Sequence, residues 1–411
     1  MNKKNKTKKI KMIDLFAGCG GLTDGFLQTK LYDEIAAVDW LKPQVETLRK
    51  RLKLKWNISH ADESVMFFDI QNENELFSGW NNDLVYGSGK GLDYFINNAS
   101  GIDLIIGGPP CQAYSVAGRV RDENGMKNDY RNFLFEHYLN VVNRYKPKAF
   151  VFENVPGLLS AAPNGKPIKE IIKKSFNNIG YDIIEDLKTF ALVNASDFGV
   201  PQNRKRLIIL GIKKELYRNP QEALRHFYID ILSKYKVTKI TTVKDAISDL
   251  PACKPILRQT ANCTKASHIT PTCKISWHVP RYNNSRDIDT FRTLALDLKN
   301  GTNIYNSKKI SELYAEKIGS SSPIHRYHVL DPNKPSTTII AHLYKDGNRF
   351  IHYDPTQART ITVREAARLQ SFDDDFDFVG TQGNAYQMIG NAVPPLLAKN
   401  IALAIYDFLC S

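Results

Sequence analysis

The run IDLIIGGPPCQAYS, residues 102–115, places Cys111 directly after two prolines at the end of an apolar stretch. Pro109 and Pro110 fix φ and restrict the residue before each, a preparation that a packing cysteine does not need. A free thiol is only ~3% thiolate at neutral pH, so a nucleophilic role requires help from its surroundings. A cysteine acting as a small hydrophobe belongs inside a strand. Cys111 stands at a strand's carboxyl end instead, which favours a nucleophile. FVFENV ends a second apolar run with Glu153 and Asn154. A carboxyl there is partly desolvated, which raises its pKa and favours the proton-donating form; the plainer reading is a glutamate reaching solvent or capping the next segment. In PQNRKRLIIL, Arg204 and Arg206 are two apart, hence on one face of an incipient strand. Either can serve as a surface cation, and together they can polarise a carbonyl oxygen or grip phosphate.

A second group of residues is suited to holding a ligand. DLFAGCGGLTDGF sets Gly18, Gly20 and Gly21 between a strand and a helix, where glycines permit a tight turn and close approach to the backbone. Asp39 ends the next strand about 20 residues later, the place of a carboxylate that accepts from ribose hydroxyls. Trp40 beside it offers an aromatic face to an adenine. The full G-x-G-x-x-G spacing is absent, which argues for an adenosine ligand other than a nicotinamide cofactor. VYGSGKG resembles a phosphate loop but has Gly91 after Lys90, and it reads as a loop between strands. Cys253, Cys263, His268, Cys273 and His278 are separated by nine, four, four and four residues with no C-x-x-C pair, so no metal is expected.

The elements that must position these residues follow from hydrophobic patterning. KMIDLF, IAAVDW, VMFFDI, IDLIIG, KAFVFENV and RLIILGI read as strands. GGLTDGFLQT, PQVETLRKRL, NFLFEHYLNVVNRY and IKEIIKKSFNNI read as helices between them. Strands apolar on both faces and separated by helices predict an α/β fold, a doubly wound and mostly parallel sheet with ligands at the carboxyl ends of its strands. The alternation stops near residue 214. Residues 251–286 carry six Lys or Arg and no acidic residue, interleaved with Trp277, Tyr282, His268 and His278. Helical and strand signals return after about 325, in TTIIAHLY, TVREAARLQSF and PPLLAKNIALAIYDFL. The expected organisation is a basic arm over 1–11, a catalytic and cofactor-binding domain over 12–214, a smaller irregular domain over 215–325, and late motifs over 326–411.

Composition bounds the class. A chain of 411 residues with 42% hydrophobic and 24% charged residues has the makeup of a globular protein. No wholly apolar run long enough to span a bilayer and no signal-peptide core are seen, so a cytoplasmic protein without a membrane partner is expected. Six cysteines do not form a disulfide framework. The net charge of +13 favours a polyanionic partner.

DLFAGCGG, GGPPCQAYS, FENV, QNRKR, TVREAARLQSF and GNAVPP, in that order, resemble the DNA (cytosine-5) methyltransferases, over most of the chain except 215–325 and the N-terminal arm. The resemblance implies the methyltransferase fold, S-adenosyl-L-methionine as cofactor and double-stranded DNA as substrate. Cys111 would attack carbon 6 of an extruded cytosine, Glu153 would bond the ring N3 and exocyclic amine, and Arg206 would hold O2 with Arg204 nearby. Phe16, Gly18, Gly20, Gly21 and Leu22 would line the cofactor, with Asp39 on its ribose and Trp40 on its adenine. Asp69 and Ile70 match the adenine edge, Pro109 and Leu134 complete the pocket, and Asn391, Ala392 and Val393 match the motif that returns to it. Residues 112–131 would close over DNA, and 215–325 would read its sequence. A monomeric bacterial enzyme at the nucleoid, partnered functionally by a restriction endonuclease, is the implied setting. Methylation of tRNA cytosine and catalytically silent DNA binding are the competing readings. The sizeable basic region weighs against the first, and the intact set of reactive residues weighs against the second. Asp373 stands where the family often has proline, a structural departure, and 71–101 has no assigned function.

Overall fold

Among the described residues, eight of the ten strands form one sheet, and those that read as apolar on both faces make most of it. The computed structural model describes residues 8–110, 134–162, 165, 167–256, 266–319 and 327–410. Cys111, the 112–131 segment and Cys263 lie outside the described residues. The strands are β1 (Ile10–Leu15), β2 (Tyr32–Asp39), β3 (Val65–Phe67), β4 (Trp80–Asp83), β5 (Gly87–Gly89), β6 (Leu104–Gly107), β7 (Ala149–Asn154), β8 (Tyr181–Ile183), β9 (Leu192–Asn194) and β10 (Lys205–Lys213). The sheet runs β3-β2-β1-β6-β7-β10-β8, with β9 pairing β10. The first five of these strands are parallel, and β10 is antiparallel to β7, β8 and β9. This is the doubly wound, mostly parallel sheet expected from the pattern.

The chain divides into two units. The first comprises the described parts of Met1–Phe198, Lys205–Thr238 and Ala392–Ser411 and contains the sheet. Its helix α1 (Gly21–Gln28) packs against the C-terminal helix Pro395–Cys410 so closely that a Cβ on Gly25 would lie 2.4 Å from the Pro395 carbonyl oxygen. Residues 215–238 also belong to this unit. Tyr217 stacks on Phe408 with ring centroids 5.5 Å apart, and Tyr235 Oη donates to Asp407 at 2.5 Å. An apolar window within Gln382–Cys410 meets the length and composition of a membrane span, but 67% of it is buried inside the protein, as in a core helix.

VYGSGKG is not a plain loop. Gly87–Gly89 is β5, paired with β4, and Gly91 opens the helix Gly91–Asn98. Trp80 stacks on Phe68, and a Cβ on Gly89 would come within 2.3 Å of the Trp80 ring. The glycine therefore admits the indole rather than a phosphate.

Two carboxyls lie inside the sheet. Asp14 on β1 accepts from Thr23 Oγ1 at 2.6 Å. Glu34 on β2 is buried, and neither of its oxygens meets a hydrogen-bond partner among the described residues. Burial, with a smaller contribution from Asp14, pushes the Glu34 carboxyl up to about 8. The folded chain thus keeps a proton that the unfolded chain releases above its ordinary pKa near 4.5, so stability falls as pH rises between those values. Glu34→Gln is expected to stabilise the protein at pH 9 by on the order of 2–4 kcal/mol and to change little near pH 4. Urea unfolding at both values checks this, and an equal effect at both would contradict it.

The second unit comprises Gly199–Arg204 and the described parts of Lys239–Asn391. Its helices begin at side-chain caps: Asn284 for Ser285–Asn300, Asn306 for Ser307–Ile318, and a Thr362–Glu365 capping box for Val363–Leu369. Phe291, Leu294, Tyr314, Tyr327 and Ile351 form an apolar core. A buried ion pair joins Arg359 to both oxygens of Glu365 at 2.7 Å each. Cys253 Sγ meets His278 Nε2 at 3.5 Å, whereas His268 bonds Ser267 and the Gln357 carbonyl. Among the described residues these side chains do not converge as a metal-ligand set.

TTIIAHLY forms no strand. Its Ile339 N–H donates to Gln202 Oε1 at 2.9 Å, and its carbonyl accepts from Arg204 at 2.7 Å. Side chains take the places a neighbouring strand would fill, and a 3₁₀ turn follows at Ala341–Tyr344.

Candidate active site

The carboxyl ends of β1 and β2 carry the glycine loop. The chain leaves β1 through Phe16 and Gly18, at φ 60° and 57°, and enters α1 from Gly20 at φ 92°. These left-handed conformations suit glycine at the two glycine positions and are tolerated at Phe16. A Cβ on Gly18 would meet nothing within 4 Å, so that side of the loop is open. A Cβ on Gly21 would lie 2.3 Å from the Val393 carbonyl oxygen, so Gly21 allows the 392–393 backbone to approach the loop. Leu22 is buried beneath it.

Asp39 ends β2 and bridges this loop. Its Oδ2 accepts from Gly18 N–H at 2.9 Å and its Oδ1 from Leu41 N–H at 2.9 Å. The carboxylate still has acceptor capacity for a hydroxyl donor. Burial pushes the carboxyl up to about 6, against the opposing effect of its bonds from the Leu41, Gly18 and Trp40 backbone. Trp40 is 50% exposed, leaving an aromatic face beside the carboxylate. Phe68 N–H donates to the Asp39 carbonyl at 3.0 Å, which brings the end of β3 alongside. Asp69 follows, accepting from Gln71 N–H at 3.0 Å, and Ile70 is buried. Open backbone, a carboxylate with spare acceptor capacity and an exposed aromatic ring fit an adenosyl ligand. Pro109 is buried after β6, Leu134 is buried at the start of the helix Leu134–Tyr145, and Asn391 is exposed at the end of the helix Gln382–Asn391 in the second unit. Cys19, within the glycine loop, is buried and its thiol is raised by desolvation, which makes it a poor nucleophile.

Glu153 stands at the carboxyl end of β7 with its Oε1 2.9 Å from Arg206 Nε. Their side chains are only 13% and 12% exposed. Burial lowers the Arg206 pKa, and Glu153 opposes that effect. The β6–β7 register aligns Gly107 with Phe152, which brings Gly108 beside Glu153. A Cβ on Gly108 would sit 2.7 Å from Glu153 Oε2. Asn154 Nδ2 donates to the Pro109 carbonyl at 3.3 Å, and Asn154 Oδ1 accepts from Val155 N–H at 2.8 Å. The backbone entering Cys111 is therefore held from β7. Neither Gly108 nor Asn154 received a role from the sequence, although both stand inside the motifs that drew notice.

Arg204 and Arg206 do not share a strand face. β10 begins at Lys205. Arg206 lies in it and pairs with Glu153, whereas Arg204 precedes it, fully buried in the second unit. Its guanidinium donates to the Ile339 carbonyl at 2.7 Å and the Gly390 carbonyl at 2.9 Å.

Comparison with known proteins agrees with this geometry. The C-5 cytosine-specific DNA methylase family matches residues 10–407. The type II methyltransferase M.Bpa9945I of Bacillus paralicheniformis is 33% identical, over 97% of this chain and 99% of that protein. The type II methyltransferase M.XorII of Xanthomonas oryzae pv. oryzae is 34% identical, over 95% and 82% respectively. The solved structure of a prophage-encoded E. coli protein superposes with a TM-score of 0.60 at 27% identity, covering 98% of this chain and all of that one. A match that spans nearly the whole chain, over a sheet edge suited to an adenosyl ligand, places the protein in the C-5 cytosine-specific DNA methylase family, as a DNA cytosine-5 methyltransferase that uses S-adenosylmethionine.

Proposed function

We propose that the Cys111 thiolate adds to carbon 6 of a cytosine rotated out of duplex DNA, while Glu153 and Arg206 hold that base. The observation that carries this reading is the Glu153–Arg206 pair at 2.9 Å, set against the Gly108 backbone that leads into Cys111. Extrusion is required because the ring carbons are unreachable inside the stack. Glu153 in its protonated form donates to N3 and accepts from the exocyclic amine, and Arg206 donates to O2. These bonds stabilise the electron-rich ring that thiolate addition creates. When bound, S-adenosylmethionine would supply an electrophilic methyl group for carbon 5, its sulfonium sulfur keeping the electron pair of the broken methyl–sulfur bond. Loss of the carbon-5 proton then returns its electron pair to the ring and expels the Cys111 thiolate. Arg204 acts from a distance in this scheme.

For the cofactor, Phe16, Gly18, Gly20, Gly21 and Leu22 line one wall, with Asp39 on the ribose, Trp40 on the adenine face and Asp69 and Ile70 at its edge. Pro109, Leu134, Asn391, Ala392 and Val393 complete the set. Asp39 accepts from hydroxyls best as a carboxylate, and its ordinary value of 3.8 is raised to about 6. Affinity for S-adenosylmethionine is therefore expected to fall as pH drops through about 6, and Asp39→Asn to bind weakly with a flat profile. Calorimetric titration between pH 5 and 8 checks this, and an unchanged pH profile in Asp39→Asn would remove Asp39 from the ribose.

The acid-free basic stretch within 251–286 supports contact of the second unit with the DNA backbone, and we propose that neighbouring side chains of that unit read the base edges. The similarity to type II methyltransferases supports a modification enzyme that protects DNA from a cognate endonuclease; because one extruded base needs only one subunit, we propose a monomer that works on DNA at the bacterial nucleoid. Transfer of tritiated methyl groups to duplex DNA and to tRNA, followed by analysis of the modified base, tests the reading. 5-Methylcytosine in duplex DNA is expected, and activity on tRNA alone would overturn it.

A further inference from the structure

We infer that Arg204 is a positioning residue that ties together two of the segments through which the chain passes between its units, and that it does not touch the cytosine. The chain passes from the second unit to the first at Arg204–Lys205 and again at Asn391–Ala392. Within the second unit, one guanidinium bonds the Ile339 carbonyl at 2.7 Å and the Gly390 carbonyl at 2.9 Å. The residue before one passage thus holds the backbone just before the other.

The surrounding contacts lock the same segments. Gln202, also fully buried, accepts from Ile339 N–H at 2.9 Å, donates to the Leu369 carbonyl at 3.2 Å and bonds Gln370. Gln370 Nε2 donates to the Ile389 carbonyl at 3.0 Å. Gly390 lies so close to the 340–341 backbone that an added Cβ would come 2.2 Å from Ala341 N. A guanidinium withdrawn from water is costly unless several bonds compensate it. The return here is geometric, because a rigid planar fork holds two carbonyls at one fixed spacing, which the freely rotating donors of an ammonium on a flexible stem do not.

The two passages lead directly into working residues. Arg206 is two positions beyond Arg204 and pairs with Glu153. Ala392 and Val393 follow Gly390 closely, and the Val393 carbonyl closes on Gly21. This inference rests on the proposed roles of Arg206 and of 392–393 toward base and cofactor. One buried side chain then sets the origin of both.

Full-length Arg204→Lys and Arg204→Gln proteins test it by amide hydrogen exchange together with methyl transfer. Exchange is expected to quicken roughly tenfold or more in peptides covering 200–206, 336–341 and 386–394. Strands β1, β2 and β6 and the 352–369 segment should exchange as in the parent. Transfer should fall in both variants and less in Arg204→Lys, which keeps one bond. Lost transfer with unchanged exchange in those three windows would mean that Arg204 acts on the base itself. Uniform acceleration over both units would mean general stabilisation. Either result overturns the inference. If Arg204→Gln does not fold, Arg204→Lys decides the matter through the same windows. Failure of the underlying reading shows separately, as methyl transfer that survives Cys111→Ala.

Discussion

Cys111→Ala is expected to lower methyl transfer to duplex DNA by a factor on the order of 10⁴ or more, with S-adenosylmethionine affinity held within about twofold. A cytosine carbon 5 is a weak nucleophile in the intact aromatic ring, and addition of sulfur at carbon 6 is what makes it electron-rich. Without the thiolate there is no comparable route. The cofactor affinity should survive because most of the residues proposed to hold it lie at or just beyond the carboxyl ends of β1, β2 and β3, where Gly18 and Asp39 bond one another. Cys111→Ser is expected to be nearly as inactive, since a hydroxyl ionises far less readily than a thiol. Labelled-methyl transfer and calorimetric cofactor binding measure the two quantities, and undiminished transfer in Cys111→Ala would sink the covalent mechanism.

The second large effect is expected at Glu153. Glu153→Gln should cut turnover by roughly 10²- to 10³-fold, again with little change in cofactor binding. Glutamine keeps the shape that fits against Gly108 but removes the ionisable group, and it leaves Arg206 without its charged partner at 12% exposure. Arg206→Ala should be comparably harmful for the converse reason. Because the two groups act as a unit, the double variant should lose much less than the product of the single losses. Independent, multiplicative losses would mean that Glu153 and Arg206 serve separate steps, and loss of cofactor affinity in Glu153→Gln would reassign that residue.

Much of this was legible in the sequence because the sheet is built from local signals. Runs such as KMIDLF, IDLIIG and KAFVFENV are apolar on both faces, and their ends place the glycine loop, Asp39 and Glu153 at one edge. What escaped depends on contacts between distant segments. Residues 215–238 lack a clear period, yet join the sheet-bearing unit because Tyr217 and Phe227 pack on Phe408. TTIIAHLY has the composition of a strand, but Gln202 and Arg204 occupy its hydrogen-bonding groups. Two arginines separated by one residue read as one face of a strand, although the strand begins between them and sends only Arg206 to Glu153. The importance of Gly108 was invisible for a similar reason. Nothing in GGPPC says that a carboxylate from another strand will lie 2.7 Å from its absent Cβ.

The central claim is covalent addition of Cys111 to cytosine carbon 6. It is tested most directly with duplex DNA in which fluorine replaces the hydrogen on carbon 5. After methyl transfer that position has no proton to lose, so the cysteine cannot be expelled. Incubation with S-adenosylmethionine, digestion and mass spectrometry should find the peptide containing Cys111 carrying a methylated fluorocytosine nucleotide. An enzyme that methylates ordinary duplex DNA but yields no adduct, or an adduct on another residue, would contradict the account.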